Sequence, residues 1–566
     1  MNSTHRFSNT FIVWLCAALV LFLALPGIFD LFKPHYYTSH DGEGHVIRME
    51  EFYRALKDGQ FPVRWSKRLY YGYGYPFFNF NYPSVYYMGV PFMAAGFSAE
   101  DAMKAVTIAT YLLSGLCMYA YLVKKMRPQF ALLGSLLYLY APYRMLVIYV
   151  RGSVAESIAF LFPPLLLWGV EAVVEGKKKA VLLTSLIIGF LGVSHNISAL
   201  LLFGMYHSYL ILYSGWKRSL HGFLRGLGAF GVGIAIAAFF FVPALAEKKY
   251  TFLDQTIARD YPDHFVEIAQ LVKSGWGFGG SVAGPDDGLS FNLGWVHLAG
   301  VVLSLLTLAY ILRQKDARGR QTLPLTLFLL AVFIGSVFFM MPISRTLWDY
   351  VPLLPFVQFP WRFIMLTVLA LSILLPLSLQ QLTDVLHLKW SWLFVGVLVS
   401  IVFYFAKDQW YINQSLIARV PETESLEGTT TWADEQATQW FQPKPKRVPD
   451  QRVEIVQKGA VDIEMWKTGE HRYSVASLQD TTVIENTMYY PGWRVWVDGK
   501  EVEVRYMDTD VPGRLVFSIP AGSHQVLSRL TEPSLRFAAD MVSLISLGGV
   551  LIALCIPSMK FSKKKR

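Results

Sequence analysis

Long apolar runs and short polar connections alternate along most of this chain. Twelve apolar runs lie near residues 11–32, 102–123, 130–150, 154–175, 181–194, 197–214, 226–245, 293–312, 323–341, 361–380, 391–407 and 537–557. An α-helix needs about 17–25 apolar residues to cross the hydrocarbon core of a bilayer. No water is present there to satisfy backbone polar groups, so each spanning run must close its own hydrogen bonds as a helix. The runs 181–194 and 197–214 are short and meet at His195–Asn196, and residues 84–98 read as a re-entrant or interfacial piece. The first run follows His5 and Arg6 like a leader peptide, but its length favours an uncleaved first helix.

Between residues 408 and 536 the period changes to two. Short alternating runs recur at Arg452–Val456, Val461–Trp466, Arg472–Ala476, Thr481–Met488, Arg494–Val497, Val502–Tyr506, Leu515–Ile519 and His524–Leu527. Asp498-Gly499 is a two-residue hairpin signal, and Gly513 and Ala521-Gly522 mark further turns. This pattern predicts a small antiparallel β-sandwich, reached through a polar linker from Asp408 to Pro449 that carries Pro443 and Pro445. The chain therefore divides into a transmembrane region 1–407 with a long first loop 33–101, a linker and β-domain 408–536, and a final helix with a basic tail 537–566.

Charge orients these parts. With the N-terminus in the cytoplasm, the connections Lys124–Arg127, Gly176–Lys179, Trp216–Arg225, Arg313–Arg320, the turn at Lys389 and the tail Lys563–Arg566 all fall inside, as the positive-inside rule requires. Residues 33–101, 246–292, 342–360 and 408–536 then fall outside. The expected fold is a polytopic α-helical membrane protein of about twelve spans, with an extracytoplasmic β-sandwich before the last helix. The composition agrees: 54% of residues are hydrophobic and 16% charged, against about a quarter charged in soluble domains. The net charge of +10 sits in the short loops, which argues against a nucleic-acid partner. Cys16, Cys117 and Cys555 fall inside apolar runs, with neither metal-site spacing nor a disulfide framework.

Candidate chemistry concentrates on the outer side. In HDGEGHVIR, His40 to Arg48, a helix would place Asp41, His45 and Arg48 on one face. Asp41 could cap that helix or serve as a general base, with His45 sharing the proton work. Asp41, Glu43 and His45 are also candidate ligands for a divalent ion such as Mg or Mn. The segment from Arg64 through YYGYGYPFFNFNYP, which includes Tyr82, combines cations with aromatic faces and amides suited to a sugar ring or to an interface belt. In APYRMLVIYVRGSVAE, Arg144 and Arg151 are seven apart and could share a face toward a lipid-linked phosphate or pyrophosphate, with Glu156 beyond them. GVSHNIS supplies His195 and Asn196, and LPFVQFPWRF supplies Gln358 and Arg362. In 246–292, Arg259-Asp260, Asp263-His264 and Asp286-Asp287 are polar enough to line a site, and GWGFGG, Gly275 to Gly280, reads as a flap. Walker A, Rossmann, HExxH and GxSxG signatures are absent from the sequence.

These stretches carry a resemblance. The acidic motif in a long first outer loop resembles the GT-C superfamily of polyprenyl-phosphate-dependent glycosyltransferases. HDGEGHVIR, APYR…YVRGSVAE, GVSHN and QFPWRF look like bacterial multi-pass proteins labelled "6-pyruvoyl-tetrahydropterin synthase-related". YYPGWRVWVDGKEVEV, Tyr489 to Val504, is similar to the β-domain of YfhO-like membrane proteins. The resemblance implies a GT-C-like fold in a bacterial cytoplasmic membrane, with its site and β-domain on the extracytoplasmic side. It implies a sugar on a polyprenyl phosphate as donor and a glycan, lipid or protein of the envelope as acceptor. It also implies Asp41 as base and Arg144, Arg151 or Arg362 on the leaving phosphate. The Asp41-Gly-Glu43 order followed by His45 departs from the paired acidic residues of many GT-C members. A transporter or flippase of lipid-linked substrates and a non-catalytic envelope-assembly protein are the competing expectations.

Overall fold

A computed structural model describes residues 3–256, 260–314, 317–388, 390–413, 415–416, 423, 425–431 and 433–556 of this 566-residue chain. Arg259, Lys389, residues 315–316 of the Arg313–Arg320 loop and the tail Lys563–Arg566 lie outside the described residues.

Each of the twelve apolar runs forms helix within its described residues. Among the described residues, Thr10–Phe32, Ala99–Leu122, Val154–Val174, Asn196–Lys217, Trp295–Arg313, Thr322–Met340, Pro360–Val385 and Ser534–Cys555 are each long and apolar enough to cross a membrane. Two more runs are bent pairs: Pro128–Leu139 with Pro142–Tyr149 at 44°, and Leu220–Ile236 with Ala238–Tyr250 at 71°. The first bend falls at Ala141, which is extended because proline follows it. The remaining two, Ala180–Gly192 and Ser391–Ala406, are shorter apolar helices. The chain is thus a polytopic helical membrane protein.

The first loop is structured throughout. Tyr36–Tyr37 pairs antiparallel with Ser415–Leu416. Helix Gly42–Lys57 follows, with Glu43 in its first turn and Arg54 and Lys57 in its last, the charge order that the helix dipole favours. Helices Phe77–Phe80 and Ser84–Ala94 complete the loop. The linker lies back on it: Leu426 donates to the Arg68 carbonyl at 2.7 Å, and Tyr70 and Tyr71 donate to Gly428 and Leu426 at 2.7 and 2.8 Å.

The period-two region forms two antiparallel sheets. Gly459–Trp466, Glu470–Ser477, Gly522–Leu530, Trp493–Val497 and Lys500–Val502 make one; Val453–Ile455, Thr481–Met488 and Arg514–Ile519 make the other. Tyr473, Val475, Val483, Val495, Phe517 and Val526 fill the space between them. Asp498 and Gly499 both take positive φ, 48° and 79°, as a tight hairpin of this hand needs. At the junction with the last helix, Arg536 clasps Glu247 with Nε and Nη2 at 2.9 and 3.0 Å, and Tyr490 and Asn79 bond the same carboxylate.

Candidate active site

Two motifs far apart in sequence are zipped together by backbone. The Asp41 N–H donates to the Arg151 carbonyl at 2.8 Å and the His40 N–H to the Val150 carbonyl at 3.1 Å. Glycine permits this approach. A Cβ at Gly152, whose φ is +60°, would lie 2.3 Å from Ser39 Oγ and 3.0 Å from the Gly42 nitrogen.

Asp41 occupies the N-cap position of helix Gly42–Lys57, yet its side chain makes no capping bond. Glu43 instead accepts from Ser39 N–H and Oγ, both at 3.4 Å. The Asp41 carboxylate is 45% exposed and stands 3.7 Å from Arg151 Nη2. Arg151 is buried, bonds Glu156 through Nη1, and lies 5.0 Å over the Trp361 ring. Tyr143 Oη donates to the other Glu156 oxygen at 2.5 Å. Arg362 lies over the Phe359 and Trp361 rings at 4.8 and 5.8 Å, and its Nη1 donates to Val357 O and Gln358 Oε1, both at 3.0 Å. Arg362 Nε and Trp361 Nε1 are buried with no hydrogen-bond partner among the described residues.

The opposite wall is aromatic. His45 is fully buried, its Nδ1 3.2 Å from Tyr86 Oη, and its Nε2 has no hydrogen-bond partner among the described residues. Burial, reinforced by Arg48 and then His195, holds the His45 imidazole well below its ordinary pKa, so it is neutral at pH 7. Tyr82 stands between two histidines, its ring centroid 6.4 Å from His45 and 5.2 Å from His195. Its phenol lies in the electrostatic reach of Arg48, Asp41, Arg362 and Arg151. His195 caps helix Asn196–Lys217, with Ser198 Oγ 2.8 Å from Nδ1. Arg48 lies 4.7 Å over Phe77 and donates to Thr430 Oγ1 at 2.9 Å and to the Thr430 carbonyl. The glycine flap reaches this rim, where His40 Nε2 is 3.3 Å from the Phe278 carbonyl.

Asp41, Arg48, Tyr82, Arg151, Glu156, His195, Gln358 and Arg362 therefore converge. Other candidates go elsewhere. Arg64 bonds Glu532 at 3.1 Å and Asp540 at 2.7 Å. Arg144 lies between the Tyr111 and Phe160 rings and donates to Ser157 O at 3.2 Å. The expectation that Arg144 and Arg151 share a helix face is corrected: the helix ends at Tyr149, and Arg151 lies beyond it. Asn196 bonds the Phe80 carbonyl at 3.4 Å. His264 packs on Phe359 and Asp287 braces its own loop through Val282 N–H and Gln270. The proposed metal set is also corrected. His45 faces Tyr86 and Glu43 faces Ser39, and among the described residues no three His, Cys, Asp or Glu side chains are placed to hold an ion. A divalent cofactor does not fit these donors.

Sequence reasoning did not single out Tyr86, Tyr143 or Thr430 as site residues. Tyr143 was legible as the polar neighbour of Arg144, and Tyr86 follows the Asn81–Pro83 stretch at helical spacing. Thr430 comes from the linker, where no local pattern connects it to Arg48.

Such an arrangement defines a polytopic membrane protein with a cluster of charged and aromatic side chains at the start of helix Gly42–Lys57. Residues 78–407 match the model for the 6-pyruvoyl-tetrahydropterin synthase related domain, a membrane protein, and the chain belongs to that family. It is similar to an uncharacterized protein of Lactococcus lactis subsp. cremoris (strain MG1363), 22% identical over 249 residues, 41% of this chain and 39% of that one. Among solved structures it is similar to the archaeal oligosaccharyltransferase AglB from Archaeoglobus fulgidus in complex with an inhibitory peptide and a dolichol-phosphate, with 12% identity and a TM-score of 0.36 over 72% of this chain and 56% of that chain. An Archaeoglobus fulgidus oligosaccharyltransferase complex with Zn and sulfate gives 12% and 0.35 over 70% and 53%. The chain thus spans about two fifths of the curated relative and a little over half of each solved chain.

Proposed function

We propose that this protein is an integral-membrane glycosyltransferase that moves a sugar from a polyprenyl-phosphate donor to an envelope acceptor on the extracytoplasmic side. The observation that carries it is the Asp41 carboxylate, unspent as a helix cap, half-exposed, and fixed by backbone bonds at the edge of a buried guanidinium array. A half-exposed carboxylate 3.7 Å from a buried guanidinium suits transfer from a lipid phosphate.

The acceptor hydroxyl attacks the anomeric carbon, and the carbon–oxygen bond to the phosphate breaks. The acceptor proton goes to Asp41, and the electron pair leaves on the phosphate oxygen. Arg362, whose Nε has no partner among the described residues, and Arg151, held between Glu156 and Trp361, face the developing charge. The Tyr82 phenol, set among four charged groups, donates a further hydrogen bond to the same oxygen. His45 and Tyr86 form the dry wall behind it.

Mass spectrometry of lipid-linked sugars and envelope glycans, with and without the gene, tests this function. Loss of the gene should accumulate one donor lipid and remove one glycan. Unchanged pools, together with flipping of a lipid-linked substrate by the purified protein in liposomes, would replace the enzyme with a transporter.

A further inference from the structure

Away from the charged cluster, a groove of about 1090 Å³ opens between helices. Leu113, Phe162, Phe190, Phe537, Leu544 and Leu547 supply much of its wall. These belong to helices Ala99–Leu122, Phe162–Val174, Ala180–Gly192 and Ser534–Cys555, so the groove faces hydrocarbon. Pockets for drug-sized ligands measure roughly 300–1,000 Å³; this groove exceeds that range and is almost wholly apolar.

Its polar end is acidic. Glu532 and Asp540 line it, and one guanidinium, Arg64, serves both, at 3.1 and 2.7 Å. Arg536 is the next cation within reach of Glu532, but it is spent on Glu247. Three carboxylates thus share two guanidiniums, and Glu532 keeps 34% of its side chain exposed. An anionic headgroup would meet an uncompensated carboxylate here, whereas an ammonium would complete the charge.

We propose that this groove binds the acyl chains of a membrane phospholipid with an ammonium headgroup, the ammonium resting on Glu532 and Asp540. The site lies back to back with the charged cluster. Tyr87 and Val193 line the groove, while Tyr86, next to Tyr87, and His195, two residues past Val193, belong to the charged cluster. Ser84 seals the partition, donating from N–H to Val193 O at 3.2 Å and from Oγ to Ser194 Oγ at 3.1 Å.

Native mass spectrometry of the full-length protein, released from nanodiscs of equal phosphatidylethanolamine and phosphatidylglycerol with a trace of polyprenyl phosphate, tests the proposal. Phosphatidylethanolamine should be retained about tenfold over phosphatidylglycerol, equivalent to about 1.4 kcal/mol. Glu532→Gln should bring the two close to parity. Leu544→Trp, at a position 62% exposed on the last helix, should fill the groove and reduce retention of every lipid. Equal retention by the unaltered protein, preference for the polyprenyl phosphate, a second copy of the chain or another helix in the groove, or a preference that survives Glu532→Gln would each overturn it.

Discussion

Asp41 and Arg151 meet twice. The Asp41 N–H donates to the Arg151 carbonyl at 2.8 Å, and the Arg151 guanidinium stands 3.7 Å from the Asp41 carboxylate. The backbone contact sets the side-chain separation, so the carboxylate stays close enough to feel the cation without closing a tight ion pair.

Asp41→Asn should abolish transfer, by about 10²–10⁴-fold if the carboxylate is the general base. Because that side chain makes no capping bond, thermal unfolding in detergent should be nearly unchanged. Full activity in this variant would remove Asp41 from the mechanism.

Arg151→Ala should destabilise the fold. It leaves the Glu156 carboxylate, 1% exposed, buried without its cation, a loss of about 3–5 kcal/mol. Arg151→Met with Glu156→Gln should recover part of that stability without recovering activity. Denaturation midpoints of the single and double variants check this.

Tyr82→Phe keeps the ring between His45 and His195 and removes only the hydroxyl. A hydrogen bond to a charged group contributes about 1.5–3 kcal/mol, so turnover should fall roughly ten- to a hundredfold with little change in donor KM. An equal rise in KM would make Tyr82 a ground-state contact instead.

Gly152→Ala should cost about 1–3 kcal/mol, since its φ is +60° and a Cβ would collide with Ser39 and the Gly42 backbone. Gly204→Ala, in a helix with open space around the new methyl, should be neutral or slightly stabilising. Comparing the two melting temperatures separates a local clash from a general intolerance of alanine.

Acid should unfold the protein partly through His45. Its folded-state pKa is depressed by burial, while the unfolded chain takes up a proton near pH 6.5. Stability is therefore fully present above about pH 6.5 and falls as the pH drops toward the folded value. His45→Gln should flatten that acid limb, as read from melting temperatures between pH 7.5 and 5.

How much of this was legible depended on distance along the chain. Apolar periodicity located the helical runs, and alternation with Asp498-Gly499 located the sandwich, because both are properties of neighbours in sequence. The motif around Asp41 and those around Arg151, His195 and Arg362 read as separate polar patches at one membrane face, and the structure joins them. Three-dimensional facts escaped: that the helix bearing Arg144 ends at Tyr149 and leaves Arg151 outside it, that Arg64 turns to Glu532 and Asp540, and that His45 points into an aromatic wall. Partners far along the chain, such as Glu532 and Thr430, set those orientations, and a local pattern carries no trace of them.

The docking of Thr430 on Arg48 has a consequence for biogenesis. A nascent chain of 407 residues already holds Asp41, Arg151 and Arg362, yet its Arg48 lacks the hydroxyl and carbonyl that orient it. Orientation of Arg48 therefore waits on the linker, which must lie across the first loop before Thr430 can accept from it.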